Sequence, residues 1–465
     1  MLDQTFETPK PRVIAGAKHD WELVIGKEVH AQVASNAKLF SGASTQFGNE
    51  PNSNVAFVDA AMPGMLPVIN EFCVEQAVRT GLGLKADINL WSTFDRKNYF
   101  YPDLPKNYQI SQFDLPVGLD GSLSIVLNEI ESEVAIERVH MEEDTGKSTH
   151  MGSGRIDSAT STALDFNRSG VPLVEIVTKP VIKSAKEAVA YIEELRQLAL
   201  DLGISEGKLE KGNLRFDANI SVASSDSNVL GTKVEIKNMN SLRSLERAID
   251  YEIERQSKAL SNGDVIVQET RHWDEGKEVT KSMRSKEGSA DYRYFSDPDL
   301  PNMVLDDEFV NEIKAQMPKL PIEKRTELLK TGLTLSEANI LSKSDSWIIE
   351  LFQNVYSSTK NSGTTYNWIM GELQGQIRKL DISKPPSWFK SESLSEIINL
   401  IESNKISFSS GKIILASILE NDSTPDEIAK QQNLYQENDS DKILEIVKNV
   451  ITENIEVIER IKNGE

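Results

Sequence analysis

The chain has 465 residues, of which 39% are hydrophobic and 26% charged, a composition typical of a globular protein that buries a core. The formal net charge is −21, which argues against a nucleic-acid partner because phosphate binding normally leaves a basic footprint. No run approaches the roughly 18 apolar residues of a membrane helix, and the polar N-terminus lacks the apolar segment of a signal peptide. The single cysteine excludes an internal disulfide, and these features together indicate a reducing cytoplasm.

The first predicted strand, "LVIGKEVHAQV" (23–33), carries polar side chains at every second position. An alternating strand places Glu28 and His30 on one face, and Lys27 and Val29 on the other. Glu28 and His30 are therefore either ligands of one site or a surface pair.

The segment "FDRKNYFYPDLPKNYQISQ" (94–112) mixes cations with aromatic side chains. This mixture is typical of sites that hold phosphate and stack on a base. The alternative is a surface hairpin whose tyrosines pack on the sheet.

The segment "RVHMEEDTGKSTH" (138–150) ends a predicted strand with three consecutive acids, Glu142, Glu143 and Asp144. Its "GKST" resembles the tail of a phosphate-binding loop, but Met141 stands where that loop requires its first glycine. We therefore exclude a Walker loop and retain Lys147 as a charge partner of a metal-bridged nucleotide. The alternative is that these three acids lie in a solvated turn and bind no ligand.

Three further predicted strands carry acids. Glu175 interrupts the apolar run of "GVPLVEIVT", where an unpaired carboxylate is prohibitively unfavourable, so that it needs a cation or a raised pKa. Asp217 lies in "LRFDANISV", and Glu235 and Lys237 lie in "TKVEIKN". Acids that converge on one sheet face favour a divalent metal such as Mg²⁺. The alternatives are one solvated sheet face and, for Glu175, a structural salt bridge.

Two helices stand out in the front part, "KSAKEAVAYIEELRQLALDLG" with a capping box at Ser184 and Glu187, and "NSLRSLERAIDYEIERQSKALSNG" ending at Asn262-Gly263. Beyond about residue 305 the pattern is helical through "DKILEIVKNVITENIEVIERIKNGE", apart from a linker at "DISKPPSW" (381–388). The sequence thus predicts an α+β front domain followed by all-helical domains.

The sequence offers few candidate nucleophiles for covalent catalysis. There is no G-x-S-x-G elbow, and Cys73 lies in an amphipathic helix as a core residue. Ammonia or another nucleophile must come from elsewhere.

Eleven segments, in order, resemble the B subunits of the aspartyl/glutamyl-tRNA amidotransferases: "IGKEVHAQV", "KLFSGAS", "EPNSNV", "MPGMLPVIN", "FDRKNYFYPDLPKNYQISQ", "HMEEDTGKSTH", "DFNRSGVPLVEIV", "LRFDANIS", "TKVEIKNMNS", "QETRHWDE" and "MRSKEGSADYRYF". The resemblance covers about residues 20–300 and is weaker beyond, where "NWIMGEL" is its clearest segment. These ordered segments outweigh the acidic charge as an indication of a tRNA partner.

The resemblance implies an enzyme that converts misacylated Glu-tRNA(Gln), Asp-tRNA(Asn) or both to the correct amide. In this family it is the B subunit that binds the tRNA and activates the side-chain carboxylate with ATP to an acyl phosphate. A glutaminase A subunit delivers ammonia, and a small C subunit completes the heterotrimer. The expected location is the cytoplasm or an organelle of bacterial descent.

The resemblance also implies a catalytic cradle domain over 18–297, with a mostly antiparallel, glutamine-synthetase-like sheet, a helical domain over 298–400 and a tRNA-contacting helical tail over 401–465. Because family members continue beyond "ERIKNGE", we expect a truncated or reduced tail. Some members carry zinc-binding cysteines near "KLFSGAS", where Ser41 and Ser44 stand here, so Mg²⁺ and ATP are expected but zinc is not.

The implied metal ligands are Glu28, His30, Glu143, Glu175 and Glu235. Glu143, Glu175 and Lys237 are the predicted catalytic residues. Candidate contacts to ATP or the acceptor end, chosen from charge and stacking, are Arg96, Lys97 and Tyr99. Further substrate or ATP-binding candidates are Lys147, Asn167, Arg168 and Asp217, and Asp217 is also a candidate charge-balancing group. Two alternatives stay open, a stand-alone ATP-dependent amide ligase acting on a small carboxylic acid and a non-catalytic assembly or RNA-binding subunit.

Overall fold

The computed structural model describes residues 13–14, 20–152, 159–225, 229–285, 292–436 and 440–454. Contacts divide the chain into two units, Met1–Lys324 and Arg325–Glu465. The strands lie in the first unit and the second is helical, which confirms the predicted α+β class. The division falls after the predicted boundary at 297/298 because side chains from Leu300 to Leu320 pack on the core of the first unit. The predicted division at 400/401 stays a prediction.

Two sequence predictions reach beyond the described residues. The predicted helical segment 441–465 is described as far as residue 454, and the segment "MRSKEGSADYRYF" lacks residues 286–291. Among the helices of the described ranges, none has both the length and the apolar character that crossing a bilayer requires.

The strands, in chain order, are β1 (Val13–Ile14), β2 (Trp21–Gln32), β3 (Asp87–Ile88), β4 (Trp91–Ser92), β5 (Asp95–Asn98), β6 (Tyr108–Ser111), β7 (Gly118–Leu119), β8 (Ser122–Leu127), β9 (Ile130–Glu143), β10 (Lys147–Gly152), β11 (Ala159–Asp165), β12 (Pro172–Thr178), β13 (Leu214–Ser224), β14 (Val234–Lys237), β15 (Glu269–Asp274), β16 (Val279–Ser285), β17 (Phe295–Ser296) and β18 (Met303–Val304).

One large sheet dominates the first unit. Within the described residues it has eleven strands, in the order β16-β15-β14-β13-β2-β12-β9-β7-β3, with β1 beside β2 and β8 beside β9. Its neighbours pair antiparallel apart from β14 and β15, which run parallel. The sheet is therefore mostly antiparallel, as predicted, and β2 lies at its centre.

The helices are α1 (Glu71–Gly83), α2 (Ala185–Asp201), α3 (Leu242–Asn262), α4 (Asp307–Ala315), α5 (Pro321–Leu329), α6 (Leu335–Ser342), α7 (Ser346–Thr359), α8 (Ser362–Asn367), a π-helix (Trp368–Leu373), α9 (Gln374–Lys379), α10 (Ser391–Glu402), α11 (Phe408–Glu420), α12 (Pro425–Gln431) and α13 (Ser440–Glu453). The segment 380–390 is not helical, as its two prolines predicted.

Local sequence signals set the ends of the two long helices. The backbone N–H of Glu187 donates to the Ser184 hydroxyl at 3.1 Å, and α2 begins there. Helix α3 ends at Asn262 because Gly263 adopts a φ of +87°, a conformation that is unfavourable for other residues. Both predicted boundaries are confirmed.

The core of the first unit lies on one face of the sheet. Val29 of β2 and Ile176 of β12 are buried together with Leu195 of α2 and Ile249 of α3. Because side chains alternate along a strand, burial of this apolar set leaves the polar set on the opposite face. The second unit has a core of its own, which extends from Leu328 to Ala429 and includes Trp368 of the π-helix.

Candidate active site

The strand register brings polar residues from separate parts of the chain into one row. Glu175 of β12 lies directly opposite His30 of β2 on one side and His140 of β9 on the other. On the far side of β2, Arg215 of β13 is paired with His30. Neighbouring strands are about 4.8 Å apart, so side chains in such a row touch. This row crosses the polar face of the sheet.

The first cluster consists of His30, Glu142 and Glu175. The Nε2 atom of His30 lies 3.3 Å from Glu142 Oε1 and 3.4 Å from Glu175 Oε2. On the other side, His140 Nε2 is 3.1 Å from the same Glu175 oxygen. Both carboxylates are buried, with 2% and 6% of the residue exposed. Buried acids at this spacing require positive charge, and His30 supplies it.

The neighbouring charges reverse the effect that burial has on the pKa values of this cluster. Burial alone would lower the pKa of His30, but attraction to Glu175 and hydrogen bonds to both acids raise it to about 10. Burial alone would raise the pKa of Glu142, but Lys97 and His30 lower it to about 2. Burial likewise opposes ionisation of Glu175, yet His30 and His140 hold its pKa well below the usual value. The cluster is therefore an ionised network.

The second cluster consists of Glu28, Asp217 and Glu235, on β2, β13 and β14. Each offers a carboxylate oxygen, and these three atoms lie within 4.8 Å of one another. Lys237 Nζ lies 2.6 Å from Asp217 Oδ2 and 3.5 Å from Glu235 Oε1. The register explains the grouping, because Asp217 is directly opposite Glu28 across β2 and β13. Glu28 is two residues from His30, so both clusters lie on the same face.

Glu143 is placed differently from the prediction. Its carboxylate forms a close ion pair with Lys106 and accepts the backbone N–H of Ile110 at 2.9 Å. It belongs to neither cluster, because alternation along β9 directs Glu142 to the face with His30 and Glu143 to the other side. Burial raises the pKa of Glu143, and its pairing with Lys106 offsets only part of that rise. This geometry gives no support to a role of Glu143 as a metal ligand.

Lys97 and Arg96 have different environments although they are adjacent. Lys97 Nζ lies 3.7 Å from Glu142 Oε2, at the edge of the first cluster. Burial would lower the pKa of Lys97, but Glu142 raises it well above the usual value. Arg96 points away and donates to Asp297 and Asp299 at 2.8 Å each. The geometry therefore brings Lys97 to the cluster and uses Arg96 to join β5 to the segment after β17.

Four sequence-predicted candidates remain: Tyr99, Arg168, Asn167 and Lys147. Tyr99 donates its hydroxyl to Gln109 Oε1 at 2.9 Å. Arg168 donates to the carbonyl oxygens of Thr145 and Gly146, at 3.0 and 2.7 Å.

Asn167 links the loop after β11 to the loop at 50–54 by donating to the Glu50 carbonyl at 2.8 Å and accepting the Asn54 N–H at 2.8 Å. Lys147 is exposed at the base of the β10–β11 hairpin, opposite Asp165. Neither residue belongs to a cluster.

Three residues of the site went unassigned or were given other roles in the sequence analysis. Glu142 stands in the first cluster where Glu143 was expected, His140 contacts Glu175, and Asp217 is a full member of the second cluster. The signal for the first two was present in the chain. Period two along β9 places His140 and Glu142 on one face and the buried Met141 on the other.

The two clusters differ in the cations that they suit. The oxygen-only set of Glu28, Asp217 and Glu235 matches the preference of Mg²⁺, whereas an imidazole nitrogen with two carboxylates also suits Mn²⁺. A divalent ion would take the place of the positive charge that Lys237 and His30 supply. The face can thus hold cations beside anionic oxygens, which is an arrangement suited to phosphate chemistry.

Comparison with known proteins identifies the chain's relatives. A family model described as the GatB/GatE catalytic domain matches residues 23–311, and one described as the GatB domain matches residues 350–465. The B subunit of the aspartyl/glutamyl-tRNA(Asn/Gln) amidotransferase from Ruegeria sp. (strain TM1040) is 48% identical over 476 residues, which cover 100% of this chain and 93% of its own length.

Proteins of the same name from Cereibacter sphaeroides (strain ATCC 17029 / ATH 2.4.9) and Jannaschia sp. (strain CCS1) are also 48% identical, and cover 99% and 98% of this chain and 93% and 91% of their own lengths. The two matched domains and these full-length similarities confirm the resemblance seen in the sequence. The chain belongs to the GatB family, the B subunits of the aspartyl/glutamyl-tRNA(Asn/Gln) amidotransferases.

Proposed function

We propose that this chain activates the side-chain carboxylate of Glu-tRNA(Gln), Asp-tRNA(Asn) or both with ATP, and that ammonia then converts the acyl phosphate to the amide. The observation that carries the proposal is the pair of carboxylate clusters on one sheet face, each with a lysine beside it. Lys97 lies against the first cluster and Lys237 against the second. A purely structural sheet face would not need buried acids at such spacing, since each opposes folding unless it is compensated.

The reaction that we propose has two steps. The γ-phosphoryl group of ATP passes to a carboxylate oxygen of the aminoacyl group, the bond to the bridging oxygen breaks and ADP leaves. Ammonia then attacks the carbonyl carbon, gives up a proton and displaces phosphate. Phosphoryl transfer of this kind depends on positioning and electrostatic stabilisation, with little covalent chemistry for the protein to perform.

The donor atoms fit Mg²⁺. Glu28, Asp217 and Glu235 would hold an ion through carboxylate oxygens, and His30, Glu142 and Glu175 would hold a second through one nitrogen and two carboxylates. Mg²⁺, when bound, neutralises phosphate charge and aligns the reacting oxygens.

The chain's own residues then have positional roles. The strand register fixes both clusters on one rigid sheet, so that their spacing does not depend on loops. His140 keeps Glu175 oriented through its 3.1 Å contact, in the way that outer partners orient metal-binding carboxylates. Lys97 and Lys237 place positive charge where the phosphates would lie. Each of these groups is held by the protein before any substrate arrives, which is what electrostatic preorganisation requires.

The ammonia in this scheme comes from partner subunits. The sequence contains no recognisable nucleophile elbow, and the one cysteine, Cys73, is buried in α1. We therefore propose that the chain works in a heterotrimer with a glutaminase A subunit and a small C subunit, in the cytoplasm or in an organelle of bacterial descent.

Replacement of Glu175 by glutamine tests this function. The chain is co-produced with its A and C partners and supplied with each misacylated tRNA, ATP, Mg²⁺ and either glutamine or an ammonium salt. We expect Glu175→Gln to lower amidation by about a hundredfold or more with both nitrogen sources, and to lower ADP formation equally. The ammonium arm bypasses the glutaminase and so assigns the defect to activation.

The matched control is Glu137→Gln, which makes the same chemical change at an exposed position of β9. It should leave amidation unchanged. If Glu175→Gln amidates at the wild-type rate with ammonium, the carboxylate clusters do not carry the activation step. If it fails to fold or to join the complex while the residual soluble protein keeps full activity, Glu175 has a structural role only.

A further inference from the structure

Lys97 reaches the first cluster, but the carboxylate there does not fix the position of its charge. The Nζ atom of Lys97 lies 3.7 Å from Glu142 Oε2, which is longer than a hydrogen bond although the two charges attract. A lysine ammonium is carried on a flexible four-carbon stem, so attraction to one distant oxygen leaves it several positions. The placement of this charge therefore depends on its other contacts.

The ring of Tyr292 supplies such a contact. The Lys97 Nζ atom lies 5.4 Å from the centroid of this ring, within the distance at which an aromatic face attracts a cation. Tyr99 packs against the same ring, with centroids 6.0 Å apart and 72° between the planes, and Tyr294 does so at 6.1 Å and 67°. These are favourable edge-to-face contacts, so two neighbouring rings hold the ring that contacts the lysine.

The backbone of Tyr292 is tied to β5, the strand that carries the lysine. Asn98 donates from its side-chain amide to the carbonyl oxygens of Tyr292 and Arg293, at 3.2 and 2.9 Å. Arg293 has a φ of +46°, a conformation that residues other than glycine rarely adopt and that persists where the surroundings enforce it. Further along, β17 pairs with β5, and Phe295 lies opposite Arg96. The main chain around Tyr292 is thus fixed relative to β5.

The position of this one cation matters for the proposed chemistry. A charge that stabilises a phosphoryl group in transfer is effective when it is held in place before the reaction. A displacement of about 1 Å can lower the rate of a reaction that depends on positioning by about a hundredfold. A ring that keeps the Lys97 ammonium in place therefore contributes to the rate without contact with a substrate.

We propose that Tyr292 is a positioning residue for Lys97: its ring keeps the ammonium beside Glu142, and Asn98 keeps the ring in place. The inference rests on the proposed function, in which Lys97 places positive charge where the phosphates would lie. Tyr292 acts through the lysine, and touches neither ATP nor the aminoacyl group.

The experiment is a double-mutant cycle on Tyr292 and Lys97. The chain is co-produced with its A and C partners, and amidation is measured with misacylated tRNA, ATP, Mg²⁺ and an ammonium salt. The variants are Tyr292→Leu, Tyr292→Phe, Lys97→Met, and the double variant that combines the leucine and methionine replacements. Phenylalanine keeps the aromatic ring and removes only the hydroxyl, so it is the conservative variant that should restore activity.

We expect Tyr292→Leu to lower kcat by about tenfold to a hundredfold, and to change the KM for ATP by less than about twofold. Tyr292→Phe should keep kcat within about twofold of the wild type, because the ring face that attracts the cation is retained. In the Lys97→Met background, Tyr292→Leu should lower kcat by no more than about a further twofold, since residues that act as a unit have non-additive effects.

Two further variants separate positioning from folding. Asn98→Ala removes the amide that holds the Tyr292 backbone but leaves the ring, so it should also lower kcat, and only when Lys97 is present. Tyr356→Leu is the matched control, because Tyr356 lies in the second unit and makes a similar contact, with Lys360 Nζ 5.8 Å from its ring centroid. This control should leave amidation unchanged.

A wild-type kcat in Tyr292→Leu, or in Asn98→Ala if the leucine variant does not assemble, overturns the inference and leaves the proposed function standing. A loss of equal size with and without Lys97 also overturns it, because the role of Tyr292 would then be structural. A raised KM for ATP at unchanged kcat overturns it as well, because the ring would then contact the nucleotide.

Two results reach the proposed function itself. If the wild-type complex does not amidate with ammonium, the proposed function fails. If Lys97→Met amidates at the wild-type rate, the role of Lys97 in that function fails. The inference falls with either result.

Discussion

Replacement of Lys27 by methionine should stabilise the protein in a way that depends on pH. Lys27 lies on the core face of β2, between Ile25 and Val29, and is completely buried. Its Nζ atom makes no hydrogen bond to any residue that the structure describes, and it lies 5.3 Å from the centroid of the Phe216 ring. Methionine has a similar length and carries no charge, so it fills the same space.

The magnitude follows from the pKa of the buried amine. Burial lowers the pKa of Lys27 from 10.5 to about 7, and Asp217 offsets only part of that fall. Between these two values the unfolded chain holds a proton that the folded chain has released, so the unfolding free energy of the wild type rises with pH. Relative to the methionine variant, the wild type should be less stable by about 4 kcal/mol at pH 7, about 3 kcal/mol at pH 8.5 and less than about 1 kcal/mol at pH 10.

The assay is urea unfolding at these three pH values, followed by the fluorescence of Trp21 and Trp273, which are buried in the sheet unit. The difference between variant and wild type removes the contributions of other groups that titrate in the same range. Lys85→Met is the matched control, since this lysine is 48% exposed and pairs with Glu133 on the surface. Its stability should change by no more than about 1 kcal/mol.

Two results would refute the reasoning. The first is a Lys27→Met protein that is less stable than the wild type at pH 7, which would mean that the amine contributes favourably as a cation. The second is an advantage of the same size at pH 7 and pH 10, which would mean that the pKa of Lys27 is close to its usual value in the folded chain.

Two other predictions concern the clusters and the segment that flanks them. Because the pKa of His30 is raised to about 10, Mn²⁺ must displace a proton to bind its imidazole. Titration calorimetry at pH 7.5 in buffers of different ionisation enthalpy should therefore detect about one proton released per Mn²⁺ bound by the wild type. The His30→Gln variant should release none. If the wild type released no proton, the first cluster would not be the binding site of the ion. Arg96→Ala should lower the unfolding free energy by about 2–3 kcal/mol because it leaves the buried Asp297 without its partner, whereas Asp299→Asn, which removes the more exposed contact, should change it by less than about 1 kcal/mol. Equal effects in urea unfolding would argue against Arg96 as the residue that joins β5 to the segment after β17.

Strand periodicity was sufficient to predict much of the site from the sequence. The alternation in β2 and β13 assigned Glu28, His30 and Asp217 to one face, and the isolated Glu175 indicated an unusual environment within β12. These conclusions could be reached from the sequence because side-chain direction along a strand is a local property with a period of two. The start of α2 and the end of α3 could be predicted for the same reason, since Ser184 and Gly263 act on backbone atoms within one turn.

The choice between the adjacent acids Glu142 and Glu143 could not be predicted from side-chain alternation alone. Glu142 and Glu143 have the same chemistry and adjacent positions, and the family resemblance favoured Glu143. The pairing of β9 with β12 places His140 beside Glu175, and alternation then brings Glu142 to the cluster. Strand register is a relation between distant segments, so the composition of "HMEED" does not reveal it.

By itself, the sequence determined the α+β class, the family, the start of α2, the end of α3 and most of the acids that share the polar face, because these depend on local spacing and on ordered segments. Tertiary structure alone decided that the acids form two clusters, that Lys97 and not Arg96 reaches the first of them, and that Tyr292 joins Tyr99. Those outcomes depend on which strands pair and in what register. Pairing is fixed by packing between segments far apart in the chain, and the printed order of residues does not display it.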